Sequence, residues 1–233
     1  MEKLSNKLPP ALGELLPLRD AGTFGVQRAA GKAFSTGDVL LDAEIGGGLP
    51  GGAITEIFGE MGQGTWWLAL NTLTQVRNKV CALIEPAGSF FPPGAAALGV
   101  DLSRLLVVRE NNRKRALWAL ERITREKSIG ATLAAINKLT DTELRRLQLA
   151  AEASGQACIL LRPPGELSRA SWGALRLRVV AKPGRIVVET LRARGGVMPR
   201  PIEIELENDS LAVRTSSVLP HGTHHALRAR NAG

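Results

Sequence analysis

The sequence predicts an α/β fold in which a mostly parallel central sheet has helices on both faces and an antiparallel extension at its C-terminal side. Two observations support this fold class. Between residues 53 and 162, apolar runs of strand length alternate with longer amphipathic segments, which is typical of parallel strands buried on both faces. After residue 174, strand-like segments follow one another across tight turns, which is typical of antiparallel pairs.

The parallel part contains five short apolar runs and three helical segments. The predicted strands are AITEIF (53–58), VCALIE (80–85), LLVVR (105–109), ATLAAI (131–136) and ACILLR (157–162). The predicted helices occupy residues 65–78, 113–127 and 140–154. Thr140 and Glu143 have the spacing of a capping box, so we expect the last helix to begin there and to end at Gly155.

The antiparallel part consists of four strands and two turns. The segments are ALRLRVVAK, RIVVETLRA, IEIEL and SLAVRT, with turns at Pro183-Gly184 and Asn208-Asp209. Residues 1–34 are punctuated by proline and glycine and are interpreted as an N-terminal arm. The core is expected over residues 35–215, and residues 216–233 are polar and are interpreted as a flexible tail.

Composition places the chain among globular proteins with an acidic partner. Its 233 residues carry a net charge of +8 that is unevenly distributed: residues 35–103 hold 2 basic and 7 acidic groups, whereas residues 104–127 hold 8 and 3, and residues 158–200 hold 9 and 2. Such segregation favours a positive surface that meets nucleic acid or an anionic protein, although a solvated basic surface without a partner has the same pattern.

The sequence favours a cytoplasmic protein without a metal or a histidine-based catalytic site. It has neither the pattern of a secretory signal peptide at its start nor an apolar run that could span a membrane. Cys81 and Cys158 lie in apolar runs, which is typical of reduced, buried thiols. All three histidines lie among the last 13 residues and lack the spacing of metal ligands.

A glycine-rich loop follows the first predicted strand of the core. Gly59, Gly62 and Gly64 stand where a phosphate-binding loop, G-x-x-x-x-G-K-[ST], joins a strand to a helix. The lysine position holds Thr65 and the magnesium-ligating position holds Trp66. The glycine spacing of the motif is therefore present, but the residues that bind phosphate and magnesium are missing. An ordinary strand-to-helix turn would account for the glycines alone. Trp66 and Trp67 are expected either to fill the core or to plug the site and form a partner surface.

The residues around this loop resemble those of RecA-type recombinases. The matching positions are Thr36, Gly37, Leu41, Asp42, Gly46–Pro50, Gly52, Ile54, Glu56, Ile57 and Gly59. The resemblance implies a RecA-like core of about 180 residues. It also implies a catalytic glutamate two residues after an acidic residue at the end of the second strand, and a magnesium-associated aspartate at the end of ATLAAI. This chain has Ala87 after Glu85, and Ala135, Ile136 and Asn137 at the second position. We therefore expect no ATP hydrolysis and no bound cofactor.

Within that superfamily the chain is most similar to ImuA-type proteins, through the loop and the stretch ELRRLQLAAEASGQACILLRP (143–163). This resemblance implies a non-enzymatic accessory factor of SOS-induced mutagenic translesion synthesis. The implied partners are the RecA recombinase and a Y-family-like polymerase subunit. One alternative is a division inhibitor similar to SulA, and another is an ATP-binding recombinase-like protein with displaced ligands.

Two basic segments are candidate surfaces for DNA or a partner. In RecA-type cores the strand matching ACILLR leads into a DNA-contacting loop, which implies such a role for Arg162, Arg169 and Trp172, and for Arg176 and Arg178 on one face of the next strand. The alternative is a polar face of the sheet that contacts no DNA. The second segment places Arg113, Lys114 and Arg115 at a helix N-terminus. Cations are disfavoured there by the helix dipole, so we expect either a balancing anion or partner, or simple solvent exposure.

Overall fold

A computed structural model describes the chain over residues 32–86, 88–169, 171–193, 199–206 and 213–218, the last range for its backbone only. The strands are β1 (Ala33–Phe34), β2 (Leu49–Pro50), β3 (Ala53–Phe58), β4 (Val80–Glu85), β5 (Leu105–Arg109), β6 (Ile129–Ala134), β7 (Ala157–Arg162), β8 (Leu175–Lys182), β9 (Arg185–Ala193), β10 (Ile202–Leu206) and β11 (Val213–Val218). The helices are α1 (Val39–Glu44), α2 (Thr65–Thr74), α3 (Pro92–Ala97), α4 (Arg113–Thr124) and α5 (Asp141–Ser154).

Nine of the described strands form one sheet in the order β11-β10-β9-β8-β3-β7-β6-β4-β5. The six strands from β8 to β5 in that order are mutually parallel, and β8, β9, β10 and β11 pair antiparallel. The predicted α/β class with an antiparallel extension is confirmed. The parallel strands all end at one edge of the sheet, which is called the carboxyl edge below.

Apolar side chains cover both faces of the parallel part. On one face, Leu68 of α2 belongs to the same buried cluster as Ile57, Leu83 and Ile159. On the other face, α4 and α5 bury a second cluster with Ile54 and Leu160 of the sheet. Because both faces are covered, side chains on both sides of these strands are buried, and this explains why their apolar runs are nearly continuous rather than alternating.

Most predicted boundaries agree with the structure, and β3, β4, β5 and β7 match to the residue. Thr140 and Glu143 form the predicted capping box, and Gly155 ends α5 at a φ of 75°. By contrast, β6 spans Ile129–Ala134 instead of 131–136. Gly130 lies so close to the side chain of Val76 that an added Cβ would be 2.3 Å from Cγ1. This close packing explains a glycine in a strand that was expected to begin after it.

The structure adds two short helices that lack a clear periodic signal. α1 begins after Asp38, whose carboxylate accepts the Leu41 N–H. α3 begins at Pro92, where the missing proline N–H is not needed by a helix. At the predicted boundaries, Phe34 of the expected arm packs in the core, and β11 continues to Val218 within the expected tail. Residues 1–31 and 219–233 lie outside the described residues.

Candidate functional site

Several chemically important segments meet at the carboxyl edge because consecutive parallel strands end there. The glycine-rich loop (59–64) follows β3, and Glu85 ends β4. Residues 135–137 follow β6, and the segment 163–174 follows β7. This is the edge at which open α/β sheets bind ligands, so the side chains gathered there decide what the protein can do.

The glycine-rich loop is tightly packed where it enters α2. Gly64 caps the helix at a φ of 90°, a conformation that favours glycine. A Cβ added to Gly64 would lie 2.6 Å from Cγ2 of Ile186, and one added to Gly59 would lie 2.7 Å from the carbonyl oxygen of Val179. Both glycines are therefore required by close contact with the antiparallel strands, whether or not the loop binds phosphate.

The first helical residues offer no positive charge to a phosphate group. Thr65 is only 4% exposed and belongs to the packed interior. Trp67 is buried in the core, and Trp66 is partly buried, with its ring centroid 6.2 Å from that of Phe90. Both tryptophans pack with the core and line a surface groove beside the loop, Trp67 as a buried residue and Trp66 as a partly buried one.

This groove is apolar. Its volume is about 320 Å³, and its wall includes Met61, Trp66, Phe90, Phe91 and Leu98. No charged side chain of the described residues lines it. Phe91 is 70% exposed at its rim. A groove of this composition would receive an apolar group far more readily than a triphosphate, whose charges need cations or backbone N–H donors.

The carboxylate of Glu85 is committed to the protein itself. Its Oε2 accepts the backbone N–H groups of Ser89 and Phe90 at 3.0 Å each, and it also accepts the Ser89 hydroxyl. Its Oε1 accepts Nε of Arg109 at 3.2 Å. The side chain is fully buried. Glu85 therefore holds the turn after β4 in place, and both of its oxygens are occupied.

No carboxylate follows β6. Ala135 donates its N–H to the Ile84 carbonyl, and Ile136 is buried in the core. The carbonyl of Asn137 accepts Nε of Arg113 at 3.3 Å. The side chains at this strand end thus provide no charged ligand for a magnesium ion. Across the described residues, no group of three or more His, Cys, Asp or Glu side chains could hold a metal.

A buried ion-pair network lies beneath the segment after β7. The guanidinium of Arg162 pairs with Glu56 of β3 and donates from Nε to Glu166 Oε2 at 3.0 Å. The second oxygen of Glu56 accepts the Ser171 hydroxyl and lies 3.1 Å from Nε of Arg176. The side chains of Arg162 and Glu56 have no exposed surface. The network therefore fastens the segment 163–174 to the sheet.

Two further contacts extend this network. The aromatic ring of Phe58 lies under both guanidinium groups, 5.6 Å from that of Arg162 and 4.7 Å from that of Arg176. Glu166 Oε1 accepts the N–H of Lys138 at 2.8 Å. Burial raises the pKa of Glu166, but its hydrogen bonds from Arg162 and Lys138 outweigh burial, so the pKa lies below its usual value.

This arrangement corrects three of the expected DNA contacts. Arg162 is buried and fully paired, and Arg176 is nearly buried and donates to the carbonyl of Leu167 at 3.0 Å. Arg178 shares the predicted face of β8 with Arg176, but it lies 3.7 Å from Glu189 and has little exposed surface. These arginines balance buried carboxylates, because a buried charge without a partner is very costly.

The other residues predicted in this segment are accessible. Arg169 is exposed, and Trp172 is 45% exposed with the guanidinium of Arg145 from α5 stacked on its ring at 4.7 Å. Sequence reasoning assigned no ion-pairing or stacking role to Glu56, Glu166 or Arg145. An isolated glutamate within the apolar strand AITEIF was the available signal for the network, since a carboxylate at a buried position requires a cation nearby.

At the start of α4, the expected balancing anion is Glu143 of α5. Arg113 donates from Nη1 to Glu143 Oε1 at 2.9 Å and from Nη2 to the Lys138 carbonyl at 2.9 Å. Arg115 lies 3.8 Å from Glu110 and is exposed, and Lys114 is exposed. Asn112 caps the helix by accepting the N–H groups of Lys114 and Arg115. Arg113 is thus a structural link between α4 and α5.

The Arg113–Glu143 pair makes stability depend on pH in a defined range. The hydrogen bond from Arg113 lowers the pKa of Glu143 from 4.5 to about 2. Because the folded-state pKa is the lower one, the pair stabilises the fold above pH 4.5 and this contribution is lost as the pH falls toward 2. We expect Glu143→Gln to lower the melting temperature at pH 7 but not near pH 2. Thermal unfolding followed by circular dichroism at a series of pH values would measure this.

Asp101→Asn is the matched control for that series, because Asp101 is an exposed carboxylate with a lowered pKa that contacts Ser103 and not α4 or α5. Its effect is expected to be smaller, since exposed hydrogen bonds stabilise little. A difference between wild type and Glu143→Gln that persists unchanged at pH 2 would contradict the assigned role of the pair.

The two cysteines are buried free thiols, as predicted. Burial raises the pKa of Cys81 to about 11 and that of Cys158 to about 12, so neither forms a thiolate at neutral pH. Within the described part of the chain, every helix is too short or too polar to cross a bilayer.

Comparison with known proteins gives consistent results. A family model described as the RecA N-terminal domain matches residues 23–144. The RecA protein of Crocosphaera subtropica is 33% identical over 119 residues, which make up 50% of this chain and 33% of that protein. The RecA protein of a Synechocystis species is 34% identical over 119 residues, 50% of this chain and 32% of that protein. The matched stretch thus spans about a third of the length of these relatives.

A solved structure gives the same fold. The crystal structure of the RadB recombinase superposes with a TM-score of 0.62 at 20% identity, and the match covers 75% of this chain and 96% of that one. The superposition therefore covers a larger share of this chain than the 119 residues aligned with the curated relatives.

Proposed function

Since the chain belongs to the RecA family through its N-terminal domain, we propose that it is a non-catalytic RecA-like accessory protein of the SOS-induced mutagenic translesion synthesis machinery. In this role it binds the RecA recombinase and a Y-family-like polymerase subunit, as implied by its resemblance to ImuA-type proteins. The proposal uses the family's fold without the family's nucleotide chemistry.

The observation that carries the proposal is the apolar groove beside the glycine-rich loop. A loop that binds nucleotide presents a lysine and a hydroxyl to the phosphates, whereas this loop leads into buried Thr65 and groove-lining Trp66. An open groove with Phe91 exposed at its rim supports a surface for another protein.

The lost carboxylates support the absence of catalysis. Phosphoryl transfer depends on positioned charge and on a group that orients the attacking water. Glu85 is enclosed by four hydrogen bonds within its own turn and from Arg109, and the end of β6 has no acidic residue. In the proposed role the protein therefore acts by binding alone.

The corresponding mechanism is the capping of RecA filaments. RecA-type filaments grow through interfaces that contain nucleotide, so a RecA-like subunit with an apolar groove in that place would join a filament end and prevent the next subunit from adding. The RecA-like fold gives the protein a shape that can bind the end of a RecA filament, and the missing nucleotide site prevents the next RecA subunit from adding to it.

We expect the purified protein to shorten RecA filaments on single-stranded DNA and to lower their growth rate. Fluorescently labelled RecA on long single-stranded DNA, imaged with increasing amounts of this protein, would measure both quantities. Phe91→Ser should abolish the effect, because it removes an exposed apolar group from the groove without disturbing the core. Val39→Ser is the matched control: Val39 is exposed on α1 and does not line the groove, so the variant should act like wild type.

Two results would contradict the proposal. Filaments whose length and growth are unchanged by the wild-type protein would exclude filament capping. Inhibited assembly of the tubulin-like division ring protein, with RecA unaffected, would assign the chain to the division-inhibitor class instead.

A further inference from the structure

We propose that the outer surface of α4 and α5 is a docking site for an acidic amphipathic segment of a partner protein. This surface, the α4–α5 surface below, is defined by Lys114, Trp118, Arg125, Arg145, Leu149 and Trp172. It lies on the face of the sheet opposite the apolar groove, since α4 and α5 pack on one face and α2 on the other. The proposal does not rest on the accessory role.

The structure holds α4 and α5 side by side as one rigid layer. Arg146 of α5 pairs with Glu121 of α4 at 2.8 Å, and Arg113 and Glu143 link the starts of the two helices. Both helices run in the same direction because each connects parallel strands. Arg145 extends the layer on its other side by stacking on Trp172. A partner would therefore meet a surface that is already organised.

Three large apolar side chains are exposed on this layer. Trp118 is 70% exposed, Leu149 is 44% exposed and Trp172 is 45% exposed. α4 buries Leu117, one position before Trp118, and Leu120, two positions after it, whereas Trp118 itself is directed away from the core. Single exposed apolar residues are ordinary, but tryptophans interleaved with arginines have the composition of interface anchors.

The charges of the surface select an acidic partner. Lys114 and Arg125 lie four residues before and seven residues after Trp118, which places all three on one stripe of the helix. The two cations, and Arg145 on α5, are exposed and have no carboxylate partner among the described residues. Carboxylates on either side of an apolar ridge would match them in charge and position.

A protein segment fits this surface better than a nucleic acid does. Leu149 is exposed on α5 and offers apolar contact but no ring for base stacking. Acidic side chains are also interspersed, since Glu121 and Glu126 lie beside their arginine partners and Glu152 is exposed on α5. These carboxylates would repel a continuous phosphate backbone, whereas a protein can place its few charges to avoid them.

A designed probe tests the proposal with the full-length protein. The probe is a fluorescein-labelled peptide of about 20 residues, long enough for a helix of about 30 Å, with leucine at every third or fourth position and glutamate between. We expect its fluorescence anisotropy to rise with micromolar affinity and to fall with added salt. Trp118→Ala should weaken binding about tenfold or more, which corresponds to about 1.4 kcal/mol.

Val39→Ala is the matched control, because Val39 is an exposed apolar residue of α1 that belongs neither to the α4–α5 surface nor to the apolar groove, and it should leave binding unchanged. A peptide with lysine in place of every glutamate should not bind. Absence of binding by the acidic peptide, or binding that Trp118→Ala does not weaken, would overturn the proposal. Trp118-dependent binding of labelled oligo-dT in place of the peptide would overturn it in favour of single-stranded nucleic acid.

Discussion

Replacing Arg162 by alanine is expected to lower the free energy of unfolding by about 3–5 kcal/mol, the usual cost of leaving a buried charge without its partner. The substitution removes the cation that pairs with both Glu56 and Glu166, and these carboxylates are buried where water cannot replace it. Urea unfolding of wild type and variant, followed by tryptophan fluorescence, would measure the loss.

The pH dependence of the variant distinguishes electrostatics from lost packing. Without Arg162, burial becomes the dominant influence on Glu166 and raises its pKa above the unfolded value. A carboxylate with a raised folded-state pKa stabilises the fold when protonated, so the deficit of the variant should shrink as the pH falls from 7 toward 5. A deficit that is constant over this range would indicate that packing against Phe58 accounts for the loss.

Arg169→Ala provides the control within the same segment. Arg169 is exposed, so the change should alter stability by no more than about 0.5 kcal/mol. A loss below about 1 kcal/mol for Arg162→Ala, similar to that of this control, would show that the network does not fasten the segment 163–174 to the sheet.

We expect no magnesium-dependent binding of ATP up to about 1 mM, which corresponds to an interaction weaker than about 4 kcal/mol. The phosphates would meet the end of α2 without a lysine, and the space beside it is an apolar groove. Buried Thr65 cannot replace the charge, and Trp66 cannot ligate magnesium. Titration of a fluorescent ATP analogue with and without magnesium would measure binding, with an ATP-binding P-loop protein as the positive control.

Trp66→Ala separates two causes of this absence. If the indole merely blocks an otherwise competent site, its removal should create magnesium-dependent binding, whereas missing charge predicts no binding in the variant either. We expect the second result. Saturable, magnesium-dependent binding of micromolar affinity by the wild-type protein, together with turnover, would contradict the non-catalytic proposal and favour an ATP-binding protein with displaced ligands.

The pattern of the sequence was sufficient for the architecture because local rules and burial agree in it. Runs such as AITEIF and ACILLR are mostly apolar without alternating, and every position of both strands is buried, as in a sheet covered on both faces. Thr140 and Glu143 form their capping box from local spacing alone. The short helix α3 escaped prediction because PPGAAA has no apolar period and depends on packing of Phe90 and Ala95.

The absence of nucleotide-binding residues from the candidate site was also predictable from local sequence. The missing lysine, hydroxyl and carboxylates are properties of single positions, so Thr65, Trp66, Ala87 and Asn137 could be identified directly. Whether a given arginine faces solvent or a buried carboxylate depends on partners far along the chain. Arg162 and Glu56 form an ion pair although they are 106 positions apart in the sequence. A separation of this length cannot be inferred from local residue patterns, so the ion pair was not predicted.

By itself the sequence determined the layered α/β architecture, the residues that form most of the apolar strands and the absence of the phosphate-binding lysine and hydroxyl. Each of these depends only on the type and spacing of residues that are close together in the chain. Only the tertiary structure decided which cations are free. In the structure, Arg162, Arg176 and Arg178 lie beside buried or nearly buried carboxylates. Lys114, Arg125 and Arg145 instead lie exposed on the α4–α5 surface. The physical reason is that pairing of charges depends on distance in space, and the cost of burial compels it wherever strands from distant parts of the chain meet.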